Sequence, residues 1–356
     1  MQKRFYEIDA LRFLAASAVM LMHYMLRGFS KNDNFSPVFF GAAGVWTRYN
    51  YLAVDLFFMI SGFVILMSSE HGKAVRFVES RFLRLYPAYW LCCTLSFALT
   101  YVFINHIFHQ SVSRYLLNLS MLQGLFGIGD IDFVYWTLLV EMKFYFLIFI
   151  VLLMKRIHNI ESLLALWLAL AYAQVGLHNA FIERYLITNY ASFFIAGCAL
   201  YRISKLGFAP LRGLLVLSSL PLGIFYEMQG LAQKAEHYGI AFEGLTVALI
   251  CTSFYAIFLL LILRPSDNGG LKKVSVALGR ISYPLYLVHP GVGFVVFNLV
   301  ADRINKWALL GLVCTSMVLL AYLINVLIEK PLSAWLRQRL FSERSRGVAA
   351  LAEGAP

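Results

Sequence analysis

Few residues in this sequence can do chemistry, and most of them stand in apolar surroundings. Arg12 and His23 are eleven positions apart in IDALRFLAASAVMLMH. On a helix that interval turns about 1100°, about 20° past three full turns, so the two side chains share one face about 16.5 Å apart. A guanidinium grips anions, and an imidazole moves protons near neutral pH. The competing account is a snorkelling arginine and an interfacial histidine that coincide by chance. Glu141 stands in WTLLVEMKFY, with Tyr145 four residues on and so on the same helical face. Lys143 lies about 200° round that helix from Glu141, so each needs a partner elsewhere. Asp55, in VDLFFMISGFVI, can complete a polar cluster with His23 and Glu141. Arg81 and Arg84, three apart in RFLRLYP, have the spacing of a bidentate phosphate grip. Basic residues at a membrane edge are also ordinary topology determinants. His289, in SYPLYLVHP, precedes Pro290, which frees a backbone carbonyl and can kink a helix. It reads either as a satisfied buried histidine or as a substrate contact. His106 and His109 have a metal-like spacing without further ligands, so no metal site is expected.

The elements that must position these groups are membrane helices. Of 356 residues, 60% are hydrophobic and only 14% are charged, against about a quarter in soluble domains. An ordinary soluble enzyme, a disordered chain and a fibrous protein are excluded. Apolar segments at 6–26, 51–69, 86–105, 134–154, 160–178, 186–202, 209–226, 241–263, 281–300 and 307–328 predict an all-α bundle of about ten transmembrane helices. With the N-terminus in the cytoplasm, 20 of the 30 Lys and Arg fall on cytoplasmic segments and 8 on outer ones. That asymmetry places both termini in the cytoplasm. It also accounts for the net charge of +11, and no basic stretch suits nucleic acid. The first span carries Asp9 and Arg12 and lacks a cleavage site, so it reads as a retained helix. Residues 114–126 are apolar but short, and either lie at the outer interface or re-enter the protein. Cys92, Cys93, Cys198, Cys251 and Cys314 read as packing residues. The expected division is a membrane domain over 1–340 and a short disordered cytoplasmic tail over 341–356.

Taken in order, these motifs make the chain resemble the acyltransferase-3 family of integral-membrane acyltransferases. IDALRFLAASAVMLMH holds the family's Arg-x10-His pattern, followed by VDLFFMISGFVI, RFLRLYPAYW with Arg-x-x-Arg, WTLLVEMKFY and SYPLYLVHP. The resemblance covers nearly the whole chain. It implies a bacterial inner-membrane enzyme that moves an acyl group, acetyl by family habit, from cytoplasmic acyl-CoA to a hydroxyl of a surface or exported carbohydrate. It implies that Arg12 and His23 are needed for activity and that Arg81 and Arg84 bind the donor. No cofactor is expected beyond acyl-CoA as substrate, and the expected partners are the lipid bilayer and a carbohydrate or glycolipid acceptor. On this reading His23 is a general base and Glu141 orients it or holds the acceptor, with Asp55, Tyr145 and His289 in support. A covalent acyl-histidine is the alternative mechanism. A different class, a transporter or flippase of a small solute or lipid-linked sugar, also uses intramembrane Asp, Glu and His. The missing inverted repeats and the Arg-x-x-Arg pattern count against it.

Overall fold

In the computed structural model, residues 5–30, 32–263 and 269–340 are described. The tail 341–356 and Lys3, Arg4, Lys31, Arg264, Arg344 and Arg346 of the charge count lie outside them. Among the described residues there is no strand, and ten helices are long and apolar enough to cross a membrane. They are α1 (Tyr6–Met25), α2 (Ala53–Ser69), α3 (Ala74–Phe103), α4 (Trp136–Leu153), α5 (Ile160–Leu177), α6 (Thr188–Leu206), α7 (Pro210–Gln229), α8 (Gly244–Leu263), α9 (Gly269–Val300) and α10 (Lys306–Ile324). This all-helical bundle is the expected fold.

Packing follows small residues and aromatics, because lipid tails give no hydrophobic drive between helices. The backbones of α2 and α6 meet at Gly62 and Gly197, where an added Cβ would run into the main chain at Phe194 or Met59. Cys198 Sγ donates to the Gly62 carbonyl at 3.3 Å across the same crossing. Helix α9 is the buried centre and runs parallel to α1. Asp9 lies against Gly279 at one end of that pair, and His23 meets His289 further along.

The apolar segment 86–105 does not mark the start of the third helix: α3 starts at Ala74, so Arg81 and Arg84 lie inside it and not on a membrane-edge loop. Pro87 sits within that helix and leaves the Leu83 carbonyl without its usual N–H. Ser333, beyond α10, donates its hydroxyl to that carbonyl at 2.9 Å. The helix therefore continues through the proline with its backbone satisfied.

Residues 112–135 re-enter. A short helix, Val112–Asn118, descends along α3. Tyr86 Oη, Tyr89 Oη and Trp90 Nε1 donate to the carbonyls of Ser120, Asn118 and Leu119 at 2.9, 2.7 and 3.0 Å. These residues are near the middle of α3. Irregular backbone at that depth must be satisfied by protein. Asn118 does so, taking the Ile131 N–H at 2.9 Å and donating to Arg114 and Gly129 carbonyls at 2.9 and 3.0 Å. Because the chain has already descended, α4 begins deep in the bundle.

Candidate active site

A cavity of about 940 Å³ lies between α1, α2, α3, α4, α9 and the chain after α10. Arg12 reaches it from α1, Arg81 and Arg84 from α3, and Lys330 and Arg337 from beyond α10. The i, i+3 spacing in α3 puts both of its arginines on the cavity side. Arg84 Nη1 meets Glu329 Oε1 at 3.2 Å. A smaller cavity, about 380 Å³, shares Arg12 and Arg84 and adds Asp9 and Arg280. Deeper in the main cavity, Glu141 Oε1 accepts the Tyr145 hydroxyl at 2.6 Å and also the Ser61 hydroxyl. The far limit is a hydroxyl pair, Thr137 Oγ1 and Tyr286 Oη, 2.9 Å apart.

His23 and His289 lie beyond that limit and do not line the cavity. They are 7% and 0% exposed, with stacked rings 5.1 Å apart. Their hydrogen bonds fix where the protons sit. Pro290 has no N–H, so the Tyr286 carbonyl four residues back lacks its helical donor. His289 Nδ1 lies 3.0 Å from that carbonyl and 3.1 Å from the Leu285 carbonyl. Carbonyls only accept, so His289 Nδ1 carries hydrogen and, in the neutral ring, Nε2 is an acceptor. His23 Nδ1 is 2.9 Å from that Nε2 and must be the donor. The proton chain therefore leaves His23 Nε2 as an unprotonated base, with its ring orientation set by His289.

Several neighbours hold the pair. Tyr24 Oη donates to the His289 carbonyl at 2.6 Å, and Tyr135 Oη donates to the Leu287 carbonyl at 3.2 Å. Asp132, on the segment before α4, accepts the Gly291 N–H at 2.8 Å. A Cβ at Gly291 would press on that carboxylate and on Ser96, so the close approach requires glycine. On the side away from the cavity, the Phe133 ring packs edge-on against His23, with the Arg27 guanidinium over it at 3.9 Å. Arg27 pairs with Asp33 at 3.0 Å, and Asp33 meets His237 Nε2 at 2.7 Å.

The predicted residues thus divide into two groups. Arg12, Arg81, Arg84, Glu141 and Tyr145 come together in the cavity, while His23 and His289 come together beyond it. Glu141 and His23, expected in one polar cluster, lie apart. No hydrogen bond joins them, because α4 starts deep and carries Glu141 down beside Ser61. The hydrogen-bond partner of the His23 ring is His289 and not Glu141. Asp55 is buried but joins neither group; the charges of Glu227 and Lys234 act on it instead. Lys143 does not line the cavity. Glu329, Lys330, Arg337, Tyr286 and Asp132 were not singled out from the sequence. Only the proline beside His289 pointed toward the proton chain.

Residues 5–326 match the acyltransferase-3 family model, described as an acyltransferase domain. The protein named "Putative acetyltransferase ORF330" from Acidianus two-tailed virus is 27% identical over 251 residues, covering 68% of this chain and 73% of that protein. No solved structure gives a significant match. A cation-lined cavity set behind a tautomer-fixed histidine suits an acyl-transferring enzyme, and with the family match over nearly its whole length the chain belongs to the acyltransferase-3 family.

Proposed function

We propose that the enzyme moves an acetyl group from cytoplasmic acetyl-CoA to a hydroxyl of a surface or exported carbohydrate, working from the bacterial inner membrane with both termini in the cytoplasm. The observation that carries this reading is the order of groups along α1: cations around Arg12 at one end, and a histidine with a free Nε2 at the other. The phosphates of the donor lie among Arg12, Arg81 and Arg84, which offer charge-assisted, bidentate bonds. Its pantetheine arm runs parallel to α1 and displaces the Thr137–Tyr286 hydroxyl pair to reach His23. No resident cofactor is required; acyl-CoA is a substrate.

In the reaction, His23 Nε2 takes the proton from the acceptor hydroxyl as its oxygen attacks the thioester carbonyl carbon. The C–S bond breaks, the imidazolium returns the proton to the departing sulfur, and free CoA thiol leaves. The forming imidazolium keeps its Nδ1–H bond to His289, so the ring does not turn away during the step. Glu141 has no hydrogen bond to His23 or His289 and is assigned to the donor pocket with Tyr145 and Ser61.

The test supplies purified enzyme in lipid with labelled acetyl-CoA and an oligosaccharide or glycolipid acceptor. Label appearing on the acceptor with release of free thiol supports the proposal. Solute flux across the bilayer without thioester consumption would favour the carrier reading instead.

A further inference from the structure

The cavity contains an anion made by the protein itself. Just after α10 the chain makes a single π-helical turn, Asn325–Glu329, a departure from α geometry that often marks functional sites. The turn brings Glu329 into the cavity wall, where it is buried. Both of its oxygens are engaged: Oε1 with Arg84 Nη1 at 3.2 Å, and Oε2 with Asn325 Nδ2 at 2.8 Å. Besides Glu329 and Arg84, the charged residues lining the cavity are the cationic Arg12, Arg81, Lys330 and Arg337 and the acidic Glu141. A carboxylate held on one guanidinium of a cationic cluster occupies the place of an incoming anion.

We infer that Glu329 is a built-in competitor for Arg84, which a phosphate group of the donor must displace on binding, so that Glu329 sets donor affinity. This rests on the acyl-CoA reading above. Asn325 keeps hold of the carboxylate when Arg84 is taken, so the exchange does not strand a buried charge without a partner. The arrangement also disfavours weakly charged ligands, which gain too little from Arg84 to replace the internal pair.

The test measures binding of coenzyme A to the full-length protein in lipid by calorimetry. Glu329→Gln keeps the shape and the polar contact with Asn325 and removes the charge. Its affinity for coenzyme A should rise on the order of threefold to tenfold. In an Arg84→Gln background the same change should give no gain, since no cation is left to release. Glu329→Asp, one methylene shorter, should give an intermediate gain and serves if the Gln variant does not fold. A folded Glu329→Gln or Glu329→Asp protein that binds coenzyme A no better than wild type overturns the inference and leaves the donor reading standing. So does an undiminished gain in the Arg84→Gln background. Wild-type protein that binds no coenzyme A at millimolar concentration overturns both.

Discussion

A helical residue at position 290 would ordinarily donate its N–H to the Tyr286 carbonyl; proline cannot, and His289 Nδ1 takes that carbonyl at 3.0 Å. The chemistry of His23 therefore depends on a residue two contacts away. Pro290→Ala restores a competing N–H and loosens the His289 tautomer. Transfer should fall roughly tenfold in kcat, with the donor KM unchanged, because Pro290 does not line the cavity. Steady-state kinetics on the purified variant check this; a raised donor KM with normal kcat contradicts it. Of these links, only His289 beside a proline was legible in the sequence. The His23–His289 bond joins positions 266 apart, and no local pattern encodes such a pairing.

The long helices were legible because an apolar run of about 20 residues is a compositional signal that survives ignorance of packing. The first turns of α3 were not, since charged residues interrupt the apolar pattern between Ala74 and Pro87. A tertiary bond, the Ser333 hydroxyl on the Leu83 carbonyl, satisfies the backbone acceptor that Pro87 leaves open there. Ser333→Ala should cost about 1 kcal/mol and lower the melting temperature. It should also weaken coenzyme A binding, because the bond lies one residue from Arg84. The position of Glu141 was not legible for a related reason: the descent of residues 112–135 depends on Asn118 and on three aromatic donors of α3. At the α2–α6 crossing, Gly197→Leu drives a side chain into the Met59 backbone. Overpacking of this kind costs about 1–3 kcal/mol or more, and a loss of folded yield in detergent would register it.

Across the whole molecule, α1 separates two tasks. One end gathers the cations assigned here to the donor phosphates, the other holds the histidine proposed as base, and α9 runs parallel to it to supply the second histidine. The proposed orientation assigns the cation end to the cytoplasm, where acyl-CoA is made. A cysteine placed at Arg76 should react with an impermeant maleimide only after cells are opened, while one at Asp302 should react in intact cells. Reversed labelling would turn the donor cavity away from its substrate. The claim on which the account turns is that the free Nε2 of His23 is the base for transfer. Its most direct measurement is label transfer from acetyl-CoA by purified His23→Ala enzyme that is folded and still binds coenzyme A. The account predicts a loss of about 100-fold or more with donor binding retained; near-normal transfer by that variant would contradict it.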